Sequence, residues 1–201
     1  MGGWPAGGPP DSLLPAAVAG ALAPTSARVV LIPRTTGPGV TALLPHILAT
    51  LALLGLALLL GATAYESVVM APNYERDIPD SILRAREFLV RTTPAHYFRP
   101  LSLANQLVLL AGVVATWSLP EARWSLAAAL GVLVLLDAIT FAWHYPRLAI
   151  LFKAPPPHDP ATLRRAAREW AGGNLVRLVL LVVGFLAAYR GALLLGPGRH
   201  G

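Results

Sequence analysis

The stretch LALLGLALLLGATAYESVVMAPN, residues 51–73, decides how this chain has to be read. Its first charge is Glu66 and its first proline is Pro72, so the preceding residues can wind into a helix that is apolar on every side. Such a helix is buried in a large core or crosses a membrane. The chain has 201 residues, of which 55% are hydrophobic and only 13% charged, with a mean hydropathy of +0.59. Soluble domains carry about a quarter charged residues, and a chain this poor in charge cannot clothe its own core. The composition excludes a soluble globular enzyme and a disordered regulator. With no cysteine in the sequence, it also excludes a disulfide-stapled scaffold. The lipid bilayer is the partner that remains.

Working outward, four runs reach the roughly 20 residues that a helix needs to cross about 30 Å of hydrocarbon. They are placed near 47–69, 101–119, 124–145 and 174–195. These runs hold four charges, Glu66, Asp137, Arg177 and Arg190, out of 26 in the chain. The expected architecture is all-α: an integral membrane four-helix bundle over residues 43–195, with short interfacial helices in the two long loops. Residues 1–42 contain seven glycines and seven prolines and read as a flexible tail, and residues 196–201 as a short C-terminal one.

The net charge of +6 would suit a nucleic-acid binder if it were clustered, but it is spread over short loops, and no nucleic-acid partner is expected. It reads instead as orientation. Arg76, Arg84, Arg86, Arg91 and Arg99 lie between the first two spans, and Arg147, Lys153, Arg164, Arg165 and Arg168 between the last two. Only Arg28, Arg34, Arg123 and Arg199 lie on the opposite side. Positive charge stays cytoplasmic, which predicts both long loops inside and both termini outside a bacterial plasma membrane.

Each long loop carries helix signals. Asp159-Pro160 supplies an N-cap and a first-turn proline, and Gly172-Gly173 a stop. Arg164, Arg165 and Arg168 then form a basic face, with Leu163 and Trp170 at the headgroup boundary. In the first loop Pro79-Asp80 opens a segment with Ile82, Leu83, Ala85, Phe88 and Leu89 on one side and Arg84, Glu87 and Arg91 on the other. Both segments are expected to lie on the cytoplasmic leaflet, either to bind there or simply to cap the bundle.

An ionisable group inside a membrane costs about 2.5–3.5 kcal/mol and marks a functional candidate. Counted at 1.5 Å per residue, Glu66, Asn105, Asp137, His144 and Arg177 all fall within about 12 Å of the cytoplasmic edge. Asp137, Thr140 and His144 follow i, i+3, i+7 spacing, which places them on one stripe. Asn105 shares a face with Ser102 and Gly112, and Asn174 with Arg177. Ala57, Gly61 and Tyr65 are expected to form a small-residue face for close helix approach. The catalytic candidates are Glu66, His144, Arg177 and Asp137. The candidates for contact with a hydrophobic small molecule are Tyr65, Asn73, His96, Asn105, Thr140, Trp143, Trp170 and Asn174. Asn73 is expected to end the first helix. The segment His96-Tyr97-Phe98-Arg99-Pro100 reads first as an aromatic and basic interface anchor, and second as a pocket lid.

Three chemistries fit these residues. Glu66 and Arg177 can form a buried ion pair while the amides and hydroxyls glue the helices. Glu66, Asp137 and His144, with His96, have donors for a single metal ion, although no E-x-x-H or H-x-x-H spacing is present. In a site without a cofactor, Glu66 or His144 moves a proton while Arg177 holds an anionic or phenolic oxygen.

Three segments together carry a resemblance: Gly61-Ala62-Thr63-Ala64-Tyr65-Glu66-Ser67-Val68-Val69-Met70-Ala71-Pro72-Asn73, Trp143-His144-Tyr145-Pro146-Arg147, and Trp170 followed by Asn174 and Arg177. Over residues 47–195 the chain resembles the anthrone oxygenase-like family of small four-helix membrane proteins. The resemblance implies a four-helix bundle, with the family's fourth-helix signature on Trp170, Asn174 and Arg177 and its first-helix polar position on Glu66. It implies oxygenation of a polycyclic anthrone, or a related quinol-like compound, to a quinone without a classical cofactor, and hence an oxidoreductase. The alternative is a non-catalytic accessory subunit that packs its apolar faces against partner subunits or a second copy of itself. A carrier would be expected to show an internal repeat, and no convincing one is visible between the two halves.

Overall fold

The computed structural model describes residues 40–153 and 159–196, with side chains from Leu43 onward. The expected N-terminal tail therefore lies outside the described residues, except that Val40–Ala42 already belong to the first helix. Of the expected C-terminal tail only Gly196 is described. Every regular element is helical: α1 (Val40–Tyr65), α2 (Ala71–Arg76), α3 (Asp80–Phe88), α4 (Ala95–Ala115), α5 (Pro120–Ile139), α6 (Tyr145–Leu148) and α7 (Pro160–Leu193). Three wider π-helical turns continue these helices: Glu66–Met70 joins α1 to α2, Thr140–His144 joins α5 to α6, and Ala149–Lys153 follows α6. Four continuous helical segments, Leu43–Arg76, Ala95–Ala115, Pro120–Lys153 and Pro160–Leu193, are long and apolar enough to cross a membrane. The chain is thus an all-α, four-helix membrane bundle.

The helices form a square in which α1 and α5 each pack against both α4 and α7. Leu56, Leu59, Leu109, Leu126, Leu133 and Leu181 meet at the centre, all but enclosed. Leu54, Leu103, Leu107, Leu175 and Val179 turn outward, more than half exposed. In water this outer surface would drive association; in a bilayer it is the face that hydrocarbon covers. His46 Nε2 lies 2.9 Å from the Leu195 carbonyl, so the start of the first span and the end of the fourth share one end of the bundle.

The opposite end is longer than the sequence suggests. At 1.5 Å per residue a 34-residue helix runs about 51 Å, well beyond a hydrocarbon core of about 30 Å. Beyond the central core lies a second one, in which Tyr74 and Ile82 from α2 and α3, Leu151, and Leu163, Ala167 and Trp170 from α7 pack together. This corrects two expectations. Residues 159–172 are not a separate interfacial helix but the first turns of α7, which runs through Gly172-Gly173 to Leu193. Leu163 and Trp170 are accordingly buried rather than placed at a headgroup boundary. Asp159 does cap the helix, its carboxylate accepting from the Ala161 and Thr162 amides. The glycine pair is there for a different reason. A Cβ on Gly173 would come within 2.9 Å of His144 Nε2 and Trp143 Cδ1, so the glycine permits close approach rather than stopping the helix.

Two further expectations give way. Ala57, Gly61 and Tyr65 point outward, and nothing lies within 4 Å of a Cβ built on Gly61. The close approach on α1 occurs instead at Gly55, where an added Cβ would stand 2.5 Å from Asn105 Oδ1. Asn73 does not end the first helical segment, which runs on to Arg76; its side chain donates to the Val69 carbonyl. The first-loop helix forms as expected from Asp80 to Phe88, but only part of its apolar side packs inward. Ile82 is buried, whereas Phe88 is 82% exposed.

Candidate functional site

Prolines explain the local winding that builds the site. A proline within a helix lacks an N–H, and its ring presses on the carbonyl four residues earlier. For Pro72 and Pro146 those carbonyls belong to Val68 and Ala142, each in the middle of a π turn. Widening the turn by one residue relieves the clash and re-aims the side chains around it. The first and last residues of each turn, Glu66 with Met70 and Thr140 with His144, line one cavity.

That cavity has a volume of about 990 Å³ and lies at the end of the bundle away from His46 and Leu195. Glu66 and Tyr65 contribute from the end of the first span, Thr140 and His144 from the third, and Arg177 and Trp170 from the fourth. The whole segment His96–Pro100 forms a further wall, so the anchor motif lines the cavity. Arg177 is the innermost charge. Its Nη1 lies 3.7 Å from Glu66 Oε2 and donates to Asn174 Oδ1 at 3.1 Å, while its Cζ sits 4.9 Å from the Phe98 ring centre. Arg177 Nε and both ring nitrogens of His144 are buried without a hydrogen-bond partner. Buried polar atoms left unmatched are uncommon, because each costs about 1–3 kcal/mol, and both residues line the cavity.

The remaining candidates fall outside the cavity. Asp137 turns toward α4, where Ser102 Oγ donates to its carboxylate at 2.9 Å and Gln106 Nε2 at 2.6 Å. This corrects its expected place beside Glu66 and His144: the helix is already widening at Thr140, so the i, i+3, i+7 stripe does not hold. Asn105 is buried against Gly55, and Asn174 lies behind Arg177. Trp143 lies on the outer side, its indole N–H donating to the Glu169 carbonyl and its ring 3.8 Å from Arg147 Cζ. Asn73 lines a separate, smaller cavity of about 290 Å³. Among the described residues no three His, Asp or Glu side chains gather as metal ligands would. Glu66, Asp137 and His144 therefore do not form a donor set that fits a metal.

Sequence reasoning missed Arg86, Tyr74, Phe152 and Lys153 in the wall, and reached Arg99 only through the second, pocket-lid reading of His96–Pro100. Arg86 Nε donates to the Leu151 carbonyl at 2.6 Å and Nη2 to the Ile150 carbonyl, which fastens α3 over the third π turn. Arg99 Nε donates to the Tyr145 hydroxyl at 2.7 Å. In the sequence Arg86 and Lys153 read only as orientation signals. Their proximity to aromatic positions in the same short segments was the signal available.

Compared with protein families, characterised proteins and solved structures, the chain has no match.

Proposed function

We propose that this four-helix membrane protein is an oxygenase that converts a hydrophobic aromatic compound of the anthrone type to the quinone, in the cavity bounded by Glu66, His144 and Arg177. The observation that carries this reading is the composition of that cavity. The Glu66 carboxylate, the Arg177 guanidinium and the His144 imidazole share a space of about 990 Å³ whose other walls include Tyr74, Phe98, Phe152 and Trp170. The resemblance of the Glu66 and Arg177 segments to the anthrone oxygenase-like family supports it.

The chemistry asks little of the protein beyond placing a proton acceptor and a cation. Removal of a proton from the anthrone by the Glu66 carboxylate gives an electron-rich phenolate, whose oxygen Arg177 holds. Dioxygen is the oxidant. It adds at the ring methylene carbon, one of its atoms remains as the new carbonyl oxygen, and the other leaves as water with the two methylene hydrogens. His144, which lines the same cavity, is the second group able to carry a proton.

The test is conversion of anthrone under labelled dioxygen by the purified protein in nanodiscs, compared with empty nanodiscs. Faster conversion with one labelled atom in the quinone supports the reading. A rate equal to that of empty nanodiscs removes it and leaves the accessory-subunit alternative.

A further inference from the structure

The cavity is lined by four cationic side chains, Arg86, Arg99, Lys153 and Arg177, and by one carboxylate, Glu66. Glu66 faces Arg177, and Arg86 is held by the carbonyls of Ile150 and Leu151. Arg99 makes its hydrogen bond to a neutral partner, the Tyr145 hydroxyl, and lies 4.9 Å from that ring. Among the described residues no carboxylate lining the cavity is left to answer Arg99 or Lys153. Cations collected in a cleft with low-dielectric walls focus a field that draws in an anion, and an arginine recognises a carboxylate or phosphate through paired N–H donors. The aromatic walls supply a complementary surface for rings.

We infer that the occupant of this cavity is an acid: an apolar, ring-bearing body carrying an anionic group that Arg99 and Lys153 hold. The inference rests on the reading of the cavity as a binding site and deepens it by naming the charge of the ligand. In that arrangement the acidic group is separate from the oxygen held at Arg177, so Arg99 and Lys153 select and position the ligand while Glu66 and Arg177 face its reacting ring.

The test uses the fluorescence of an anthracene carboxylate and of the matching carboxamide, titrated into the protein in phosphatidylcholine nanodiscs. The carboxylate is expected to bind at least about tenfold more tightly, the effect of one hydrogen bond to a charged group. Arg99→Gln with Lys153→Gln should abolish that preference while carboxamide affinity stays as it was, and Arg99→Lys with native Lys153 should retain part of it. Equal affinities in the native protein, or a preference that survives the double glutamine variant, would overturn the inference while leaving the cavity reading intact. Binding of neither probe would remove both. Repeating the titration in phosphatidylglycerol nanodiscs separates two sources of the anion. A lipid headgroup that occupies the site weakens carboxylate binding, whereas a free acid as the natural ligand leaves it unchanged.

Discussion

The Arg177 guanidinium stands 3.7 Å from the Glu66 carboxylate and gives its shorter bond, at 3.1 Å, to Asn174 on its own helix. The two charges attract without closing a hydrogen bond, and both face a cavity. An ion pair that served only to hold helices together would be expected to close, since desolvated charges recover their cost only through good geometry. The loose contact leaves donor capacity on Arg177 for a ligand.

Asp137 gives a contrasting case. Its carboxylate accepts from Ser102 and Gln106 on α4 and does not line the cavity. Asp137→Asn should keep turnover near native, while Asp137→Leu should strand the two α4 donors and cost about 1–3 kcal/mol of stability. Thermal unfolding in detergent, measured alongside turnover, checks both outcomes. Abolished turnover with unchanged melting in the asparagine variant would return Asp137 to the site.

The adjacent glycines of α7 should respond in opposite directions. Nothing lies within 4 Å of a Cβ on Gly172, so Gly172→Ala should stabilise by up to about 1 kcal/mol through helix propensity. Gly173→Ala drives a methyl against His144 and Trp143 and should destabilise by about 1–3 kcal/mol. Melting temperatures of the two variants decide this.

How much of this was legible in the sequence depends on which force sets each feature. The four spans were, because burial in hydrocarbon acts on about 20 residues at once and leaves a compositional mark. Glu66, His144 and Arg177 were, because charge in a membrane is rare enough to count by depth. The place of Asp137 was not: a stripe drawn at 3.6 residues per turn fails once Pro146 forces a wider turn at Thr140–His144. Gly172-Gly173 misled for a related reason. Glycine both ends helices and admits close neighbours, and only the position of His144 distinguishes the two uses. Arg86 and Lys153 were hidden by a second role, since a basic residue near a membrane edge is first an orientation signal.

The charge distribution predicts that the cavity opens toward the cytoplasm. The native chain has no cysteine, so single cysteines can be labelled without background. Thr162 and Glu87 are exposed, whereas Ser81 is buried with its hydroxyl bonded to the Tyr74 carbonyl. Thr162→Cys and Glu87→Cys should resist a membrane-impermeant maleimide applied to intact cells and react after permeabilisation. Labelling in intact cells would reverse the orientation.

In the proposed function Glu66 and Arg177 do chemistry in the cavity rather than hold the bundle together. The most direct measurement is anthrone-dependent dioxygen uptake in nanodiscs by the native protein, Glu66→Gln and Arg177→Met, with membrane accumulation of each recorded. Uptake should fall by at least about a hundredfold in Glu66→Gln, the usual scale for losing a positioned base, and drop strongly in Arg177→Met, while all three proteins accumulate equally. Native uptake in either variant, or its loss only in step with failure to accumulate, would contradict that function.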